Sequence, residues 1–166
     1  AVLNAEVDLG IMSYPLASPD LNVIPLRTER MVLVCHPRHR LAKEKAVTAE
    51  HLQGEDFIAF DRDLSIRKEI DRYLRQRSVN IRNVMEFDNI ETIKQAVEIG
   101  AGISILPEPT VREETQTGSL TSVRLIAPEL RRPIGIVHRH RKVFTPTAAK
   151  FVELLQEVQA NLPEEP

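Results

Sequence analysis

From Val84 to Pro107 the chain reads VMEFDNIETIKQAVEIGAGISILP, and this stretch decides the fold class. Val84 to Phe87 is β-branched and aromatic enough for a strand. Asn89 is a helix-capping residue type, because its side-chain oxygen accepts from the first free backbone N–H groups. Ile90, Ile93, Ala96 and Val97 then recur at helical spacing as one apolar stripe, with Glu91 and Glu98 beside it. Gly100 ends the helix by accepting a left-handed conformation, and Gly102 makes the turn tight. Ile103-Ser104-Ile105-Leu106 follows as a strand, closed by Pro107. Strand, helix, glycine turn, strand is a βαβ unit, normally a right-handed crossover between parallel strands. It predicts an α/β protein.

Working outward, Asp56 to Phe60 reads as a buried strand. Ser65 opens a helix to about Arg77, since Ile66, Ile70, Tyr73 and Leu74 share one face while Lys68, Asp71, Arg72 and Arg75 lie opposite. Upstream, Thr48 caps a helical turn, and two strands are expected at Asn22–Leu26 and Glu29–His36. Met31-Val32-Leu33-Val34 is apolar enough to be covered on both faces. Val7 to Ile11 reads as a further short strand. Downstream, Pro107 to about Gln116 should be a short helix broken by Gly118. Leu120–Ile126 and Pro133–Arg139 read as strands. Thr145 caps a last helix with Pro146 at its first position. Its apolar side is Phe151, Val152, Leu154, Leu155 and Val158, and Pro163 is expected to end the order.

The chain has 166 residues, 42% hydrophobic and 28% charged, a composition of globular proteins. Twenty-two Lys and Arg against 24 Asp and Glu leave a net charge of −2. That balance disfavours DNA binding by this segment alone. The absence of Trp and 4% aromatic content argue against a stacking platform for single strands. The one cysteine, Cys35, excludes an internal disulfide framework and suits a reducing, cytoplasmic setting. No run approaches the ~20 apolar residues of a membrane span, and no secretory signal is visible. The chain has no initiating Met and enters a strand almost at once, as expected of a fragment or processed piece.

Taken in order, several motifs carry a family resemblance. Val7-Asp8-Leu9-Gly10-Ile11 is followed by the run from Pro25 to Val34 and by His36-Pro37-Arg38-His39-Arg40-Leu41-Ala42. Later come Asp56-Phe57-Ile58, then Arg67 with Ile70-Asp71, then the run from Ala96 to Pro107. Arg132-Pro133-Ile134-Gly135-Ile136-Val137 and Phe151-Val152-Glu153-Leu154-Leu155 end the series. The ordered set resembles the effector-binding domain of LysR-type transcriptional regulators across nearly the whole chain. The resemblance implies a two-lobed α/β fold like type-2 periplasmic binding proteins, with two crossover strands and a small-molecule cleft between lobes. Residues 1–31 and 132–166 would form subdomain I, and residues 32–131 subdomain II. Family members carry a winged helix-turn-helix, a linker helix and opening strands of the first lobe before the Val7 strand, so the chain is expected to be N-terminally truncated with its first lobe incomplete.

In a sensor of this kind, helix N-termini aimed at the cleft supply N–H donors and a positive dipole end to an anion. The Leu64-Ser65-Ile66-Arg67 entry adds a hydroxyl and a guanidinium able to grip a carboxylate. The Asp88-Asn89 entry lies at a strand end, where ligands of open α/β sheets sit. Helix capping is the competing reading of Ser65 and Asn89, and an i+4 surface pair with Asp71 that of Arg67. Phe60 offers an apolar wall, whereas Asp61 beside it would repel an anion. Ser13 and Tyr14 lie just past the Val7 strand, and Ile134-Gly135 on the returning crossover; loop and core packing compete with a ligand role for all four. The expected effector contacts are thus Ser13, Tyr14, Phe60, Leu64, Ser65, Arg67, Asn89, Ile134 and Gly135.

Cys35-His36-Pro37-Arg38-His39 holds metal-binding residue types, but no fourth ligand is near in sequence and a small buried Cys is the simpler reading. No metal and no cofactor are expected. There is no Gly-x-Ser-x-Gly, no His-Glu-x-x-His and no phosphate-binding glycine loop, so no catalytic set is expected. The reading is a non-enzymatic bacterial sensor for a small, anionic effector. It would oligomerise as a homodimer or homotetramer in the full-length protein and reach DNA only through an absent helix-turn-helix. RNA polymerase is a further candidate partner. A periplasmic-type solute-binding protein of the same fold is the alternative, and an α/β enzyme a third reading.

Overall fold

The computed structural model describes residues 1–160. Its strands are β1 (Leu9–Ser13), β2 (Leu21–Cys35), β3 (Ala46–Val47), β4 (Asp56–Phe60), β5 (Arg82–Phe87), β6 (Ser104–Pro107), β7 (Thr121–Leu125) and β8 (Arg131–Arg139). The helices are α1 (Ser65–Gln76), α2 (Ile90–Glu98), α3 (Arg112–Thr117) and α4 (Pro146–Ala160). The described residues divide into two compact units, one of residues 1–28 with 132–160, the other of residues 29–131.

In the first unit β1 runs antiparallel to β8, from Leu9 opposite His138 to Ser13 opposite Ile134, and β8 neighbours the opening residues of β2. The expected strand at Val7–Ile11 therefore starts and ends two residues later. Val7 stays 44% exposed, and the ladder with β8 sets the register. Gly135 sits where β8 crosses β2. A Cβ there would lie 3.0 Å from the Ile24 carbonyl oxygen, 3.1 Å from Pro15 Cγ and 3.2 Å from Val23 Cγ1. The Thr145 hydroxyl accepts from the Ala148 N–H at 3.2 Å and caps α4 as expected. The helix buries Val152 and half-buries Leu155, but Phe151, Leu154 and Val158 of its expected apolar side are exposed. The expected stop at Pro163 lies outside the described residues.

β2 is one strand of 15 residues, not the two expected. Pro25, Arg27 and Thr28 interrupt its apolar pattern, yet an exposed polar residue does not break a strand whose backbone stays extended. Its later residues enter the second unit between two partners. Met31–Val34 pairs antiparallel with β6, and Val32–Cys35 antiparallel with β7, to which β3 adds in parallel. Paired on both edges, Met31 to Cys35 is at most 2% exposed.

β4 and β5 are parallel, and Phe57 forms a parallel bridge to Ile103 on the other side. The strands of the expected βαβ unit are thus parallel but not neighbours, because β4 lies between them. Long-range pairing of this kind leaves no trace in a local pattern. α1 buries Ile66, Ile70, Tyr73 and Leu74, and α2 buries Ile93, Ala96 and Val97. Each large apolar side chain so covered adds roughly 1.5–3 kcal/mol. The Ser104 hydroxyl, wholly buried, donates to the Ile58 carbonyl at 2.8 Å and so satisfies its polarity. The helix expected over 107–116 is split into a 3-10 turn, Glu108–Val111, and α3, with Pro109 inside the first turn. Gly118 ends α3 at φ +78°.

Candidate functional site

β4 and β5 end side by side, Phe60 opposite Phe87, and each leads into a helix after a short connection. The Asp61 N–H donates to the Phe87 carbonyl at 2.9 Å, which ties the two exits together. α1 begins after Leu64 and α2 after Asn89. The leading N–H groups of a helix lack intrahelical partners and carry the positive dipole end. Two such ends therefore stand at the carboxyl edge of one parallel strand pair, the location at which open α/β sheets bind ligands.

The residues there differ in what they are free to do. Leu64 is the extended residue ahead of α1 and gives no side-chain cap. Ser65 is the first helical residue and is exposed, so its hydroxyl is not the cap that the competing reading supposed. Asn89 does cap: its Oδ1 accepts from the Thr92 N–H and the Thr92 hydroxyl, both at 2.9 Å. Phe60 is 3% exposed and serves through its carbonyl.

Arg67 is not a surface residue. It is 4% exposed, and its Nε donates to both carboxylate oxygens of Asp71 at 3.0 and 2.9 Å. Its Nη1 donates to the Phe60 carbonyl at 2.5 Å and lies 3.3 Å from Glu86 Oε1. The i+4 partner is legible in the sequence; the burial and the other two acceptors are not. Glu86, on β5 opposite Ala59, is the residue that sequence reasoning misses. Arg62 Nε also donates to it, at 3.3 Å. Burial pushes the Glu86 carboxyl up, but Arg67 and Arg62 outweigh it and hold the group below the ordinary glutamate value.

In the first unit, Ser13, Tyr14, Ile134 and Gly135 gather at one end of the β1–β8 ladder. Ser13 Oγ accepts from Arg132 Nε at 2.8 Å. The Tyr14 N–H donates to the Pro133 carbonyl at 2.8 Å from a left-handed backbone, φ +52°, uncommon for an aromatic residue. Gly135 is fixed by close packing.

Elsewhere, Cys35 is fully buried, as a small hydrophobe would be, and burial with the nearby Glu55 charge pushes its thiol up to about 11. Among the described residues, no group of three or more His, Cys, Asp or Glu could hold a metal ion. None of the described helices is long and apolar enough to cross a membrane.

The family model of the LysR substrate binding domain matches residues 1–160. The chain belongs to the LysR substrate-binding domain family. It is 28% identical over 157 residues to the RuBisCO operon transcriptional regulator of Allochromatium vinosum, covering 95% of this chain and 52% of that protein. Among solved structures, the Synechocystis PCC6803 CcmR regulatory domain in complex with 2-PG superposes with a TM-score of 0.87 at 27% identity, covering 98% of this chain and 78% of that one. The effector binding domain of QuiR in complex with shikimate, 20% identical, has the same fold at a TM-score of 0.83, over 96% of this chain and 75% of its own. The chain spans about half the length of the curated relatives it matches. It is thus a LysR effector-binding domain with the family's periplasmic-binding-protein-like α/β fold, as its motif order predicted. The solute-binding alternative does not fit relatives that are transcriptional regulators, and the family is one of regulators, not enzymes.

Proposed function

We propose that this LysR effector-binding domain senses a small organic anion at the N-terminus of α1, beside that of α2. The observation that carries this is the parallel pair β4–β5, whose adjacent ends launch both helices. The exposed Ser65 hydroxyl and the leading α1 amides would accept the anionic group. Leu64 would supply the apolar wall, with Phe60 buried behind it, and Asn89 would hold the second helix end in place. Ser13, Tyr14, Ile134 and Gly135 are a second candidate set in the first unit, to be tested separately. The Synechocystis CcmR regulatory domain forms a complex with 2-PG, which supports a small-molecule effector here.

In the whole regulator, bound effector would shift the conformational population of this domain by its differential affinity for the two states. A helix-turn-helix elsewhere in the protein would read that shift at DNA. We place the regulator in the cytoplasm as a homo-oligomer, and RNA polymerase among its candidate partners.

Calorimetric titration of small organic anions against the wild-type chain and Ser65→Asp tests the placement. An acidic residue in a first helical turn adds about 0.3–1 kcal/mol to the helix, so the variant should melt no lower than wild type. It places a negative charge where the anion would sit and should abolish binding. Binding retained in Ser65→Asp would refute the placement.

A further inference from the structure

Arg67 has the residue type of an anion grip and the geometry of something else. A guanidinium carries five N–H donors in a fixed fork. Here Nε and Nη1 are engaged within the fold: Nε by Asp71 on the next turn of α1, and Nη1 by the Phe60 carbonyl and by Glu86 of β5. These three acceptors lie on three different elements. Between Phe60 and Arg67 runs the connection that sets where α1 begins, through the Leu64 N–H to the Asp61 carbonyl at 3.2 Å and the Lys68 N–H to the Leu64 carbonyl at 3.2 Å. One buried side chain thus clamps the connection at its strand end and at its helix end. Its charge is met by Asp71 and Glu86, which leaves little of it for a ligand.

We propose that Arg67 is the positioning residue of effector recognition: it holds the Asp61–Leu64 connection, and with it the Ser65 end of α1, in the binding-competent form without touching the effector. The role presupposes the effector placement proposed above. A side chain that spans the end of β4, the flank of β5 and the first turn of α1 converts a loop of four residues into a rigid ledge. Preorganisation of this kind raises affinity by removing the ordering that binding would otherwise require. If the competent fraction falls to about one tenth when the clamp is lost, apparent affinity falls about tenfold.

The experiment compares wild type, Arg67→Lys and Glu86→Gln by amide-resolved NMR, with inorganic phosphate as the probe. Arg67→Lys keeps the positive charge and loses the fork, so it separates positioning from charge. Glu86→Gln keeps the bonds to Phe60 and Asp71, and serves as the milder variant should the lysine protein fail to fold. Phosphate should shift the Ser65 and Ile66 amides of wild type. In Arg67→Lys the affinity should fall at least tenfold, and the Asp61 and Leu64 amides should lose exchange protection before any probe is added. Glu86→Gln should show both effects to a smaller degree. Unchanged affinity in the folded variants would overturn the positioning role alone. Weaker binding with the connection's amides still protected would make Arg67 a direct contact, and would also overturn it. No shift at Ser65 and Ile66 in wild type would instead bring down the effector placement itself.

Discussion

Replacing Gly102 by alanine tests the packing on which the whole strand arrangement rests. A Cβ at this position would stand 2.6 Å from the Asp56 carbonyl oxygen, 3.0 Å from its carbon and 3.2 Å from Ile58 Cδ1. An ordinary carbon–oxygen approach is about 3.3 Å or more. The obstacle is mostly backbone, which cannot rotate away. That carbonyl accepts from the Ile103 N–H at 2.8 Å, and the Ile58 N–H donates to the Ile103 carbonyl at 2.8 Å. Moving the chain apart therefore strains both bonds that join β4 to the chain entering β6. Overpacking costs roughly 1–3 kcal/mol, and one weakened buried hydrogen bond about 1 kcal/mol more. The stiffer unfolded chain of the alanine variant returns about 0.4–1 kcal/mol. The expected net loss is about 1–3.5 kcal/mol, centred on about 2.3 kcal/mol, read by urea denaturation followed by circular dichroism. Gly100→Ala is the control, since nothing lies within 4 Å of its Cβ but φ is +79°. It should lose about 1–2 kcal/mol through backbone strain alone. A Gly102→Ala loss no larger than that of Gly100→Ala would refute the steric argument.

Three further outcomes follow from named contacts. Asn89→Ala removes the acceptor of the Thr92 N–H and should cost about 1 kcal/mol, measured by the same denaturation. Burial pushes Glu114 up, as it does Glu86, but the bond from Lys94 holds Glu114 below the ordinary glutamate value. A lowered carboxyl adds stability above its unfolded value that is lost as pH falls through the folded one, so Glu86→Gln with Glu114→Gln should flatten the stability curve below about pH 4.5. With its thiol raised to about 11 and no exposed surface, Cys35 should react with a thiol reagent at mild alkaline pH only after denaturant is added, and rapid labelling of the native chain would contradict this.

Elements whose signal is local are legible in the sequence. Asp56–Phe60 reads with its observed bounds, and Asn89 as the α2 cap, because an apolar run and a capping oxygen act within a few residues. The α1 start at Ser65 is legible for the same reason, though the hydroxyl proves free of the cap. The merging of two expected strands into β2 is not, because its continuity is enforced by β8, β6 and β7 from far along the chain. Arg67 shows the same limit at the candidate site. Its partner at i+4 can be foreseen, but its burial depends on a carbonyl at Phe60 and on Glu86, which only the pairing of β4 with β5 brings near. Phe151, Leu154 and Val158 fit a helical stripe, yet periodicity does not say which part of a stripe a neighbour covers.

The pairing of Leu9 with His138 sets an order of assembly. As the polypeptide leaves the ribosome, β1 and the first residues of β2 emerge before β8 and must wait for it. Residues 29–131 arrive meanwhile as one uninterrupted span that carries its own partners for β4, β5, β6 and β7. Synthesis thus favours that span folding before β8 emerges, and the β1–β8 ladder closing afterwards. A stall in translation before Arg131 would leave a finished second unit tethered to an unfinished first one.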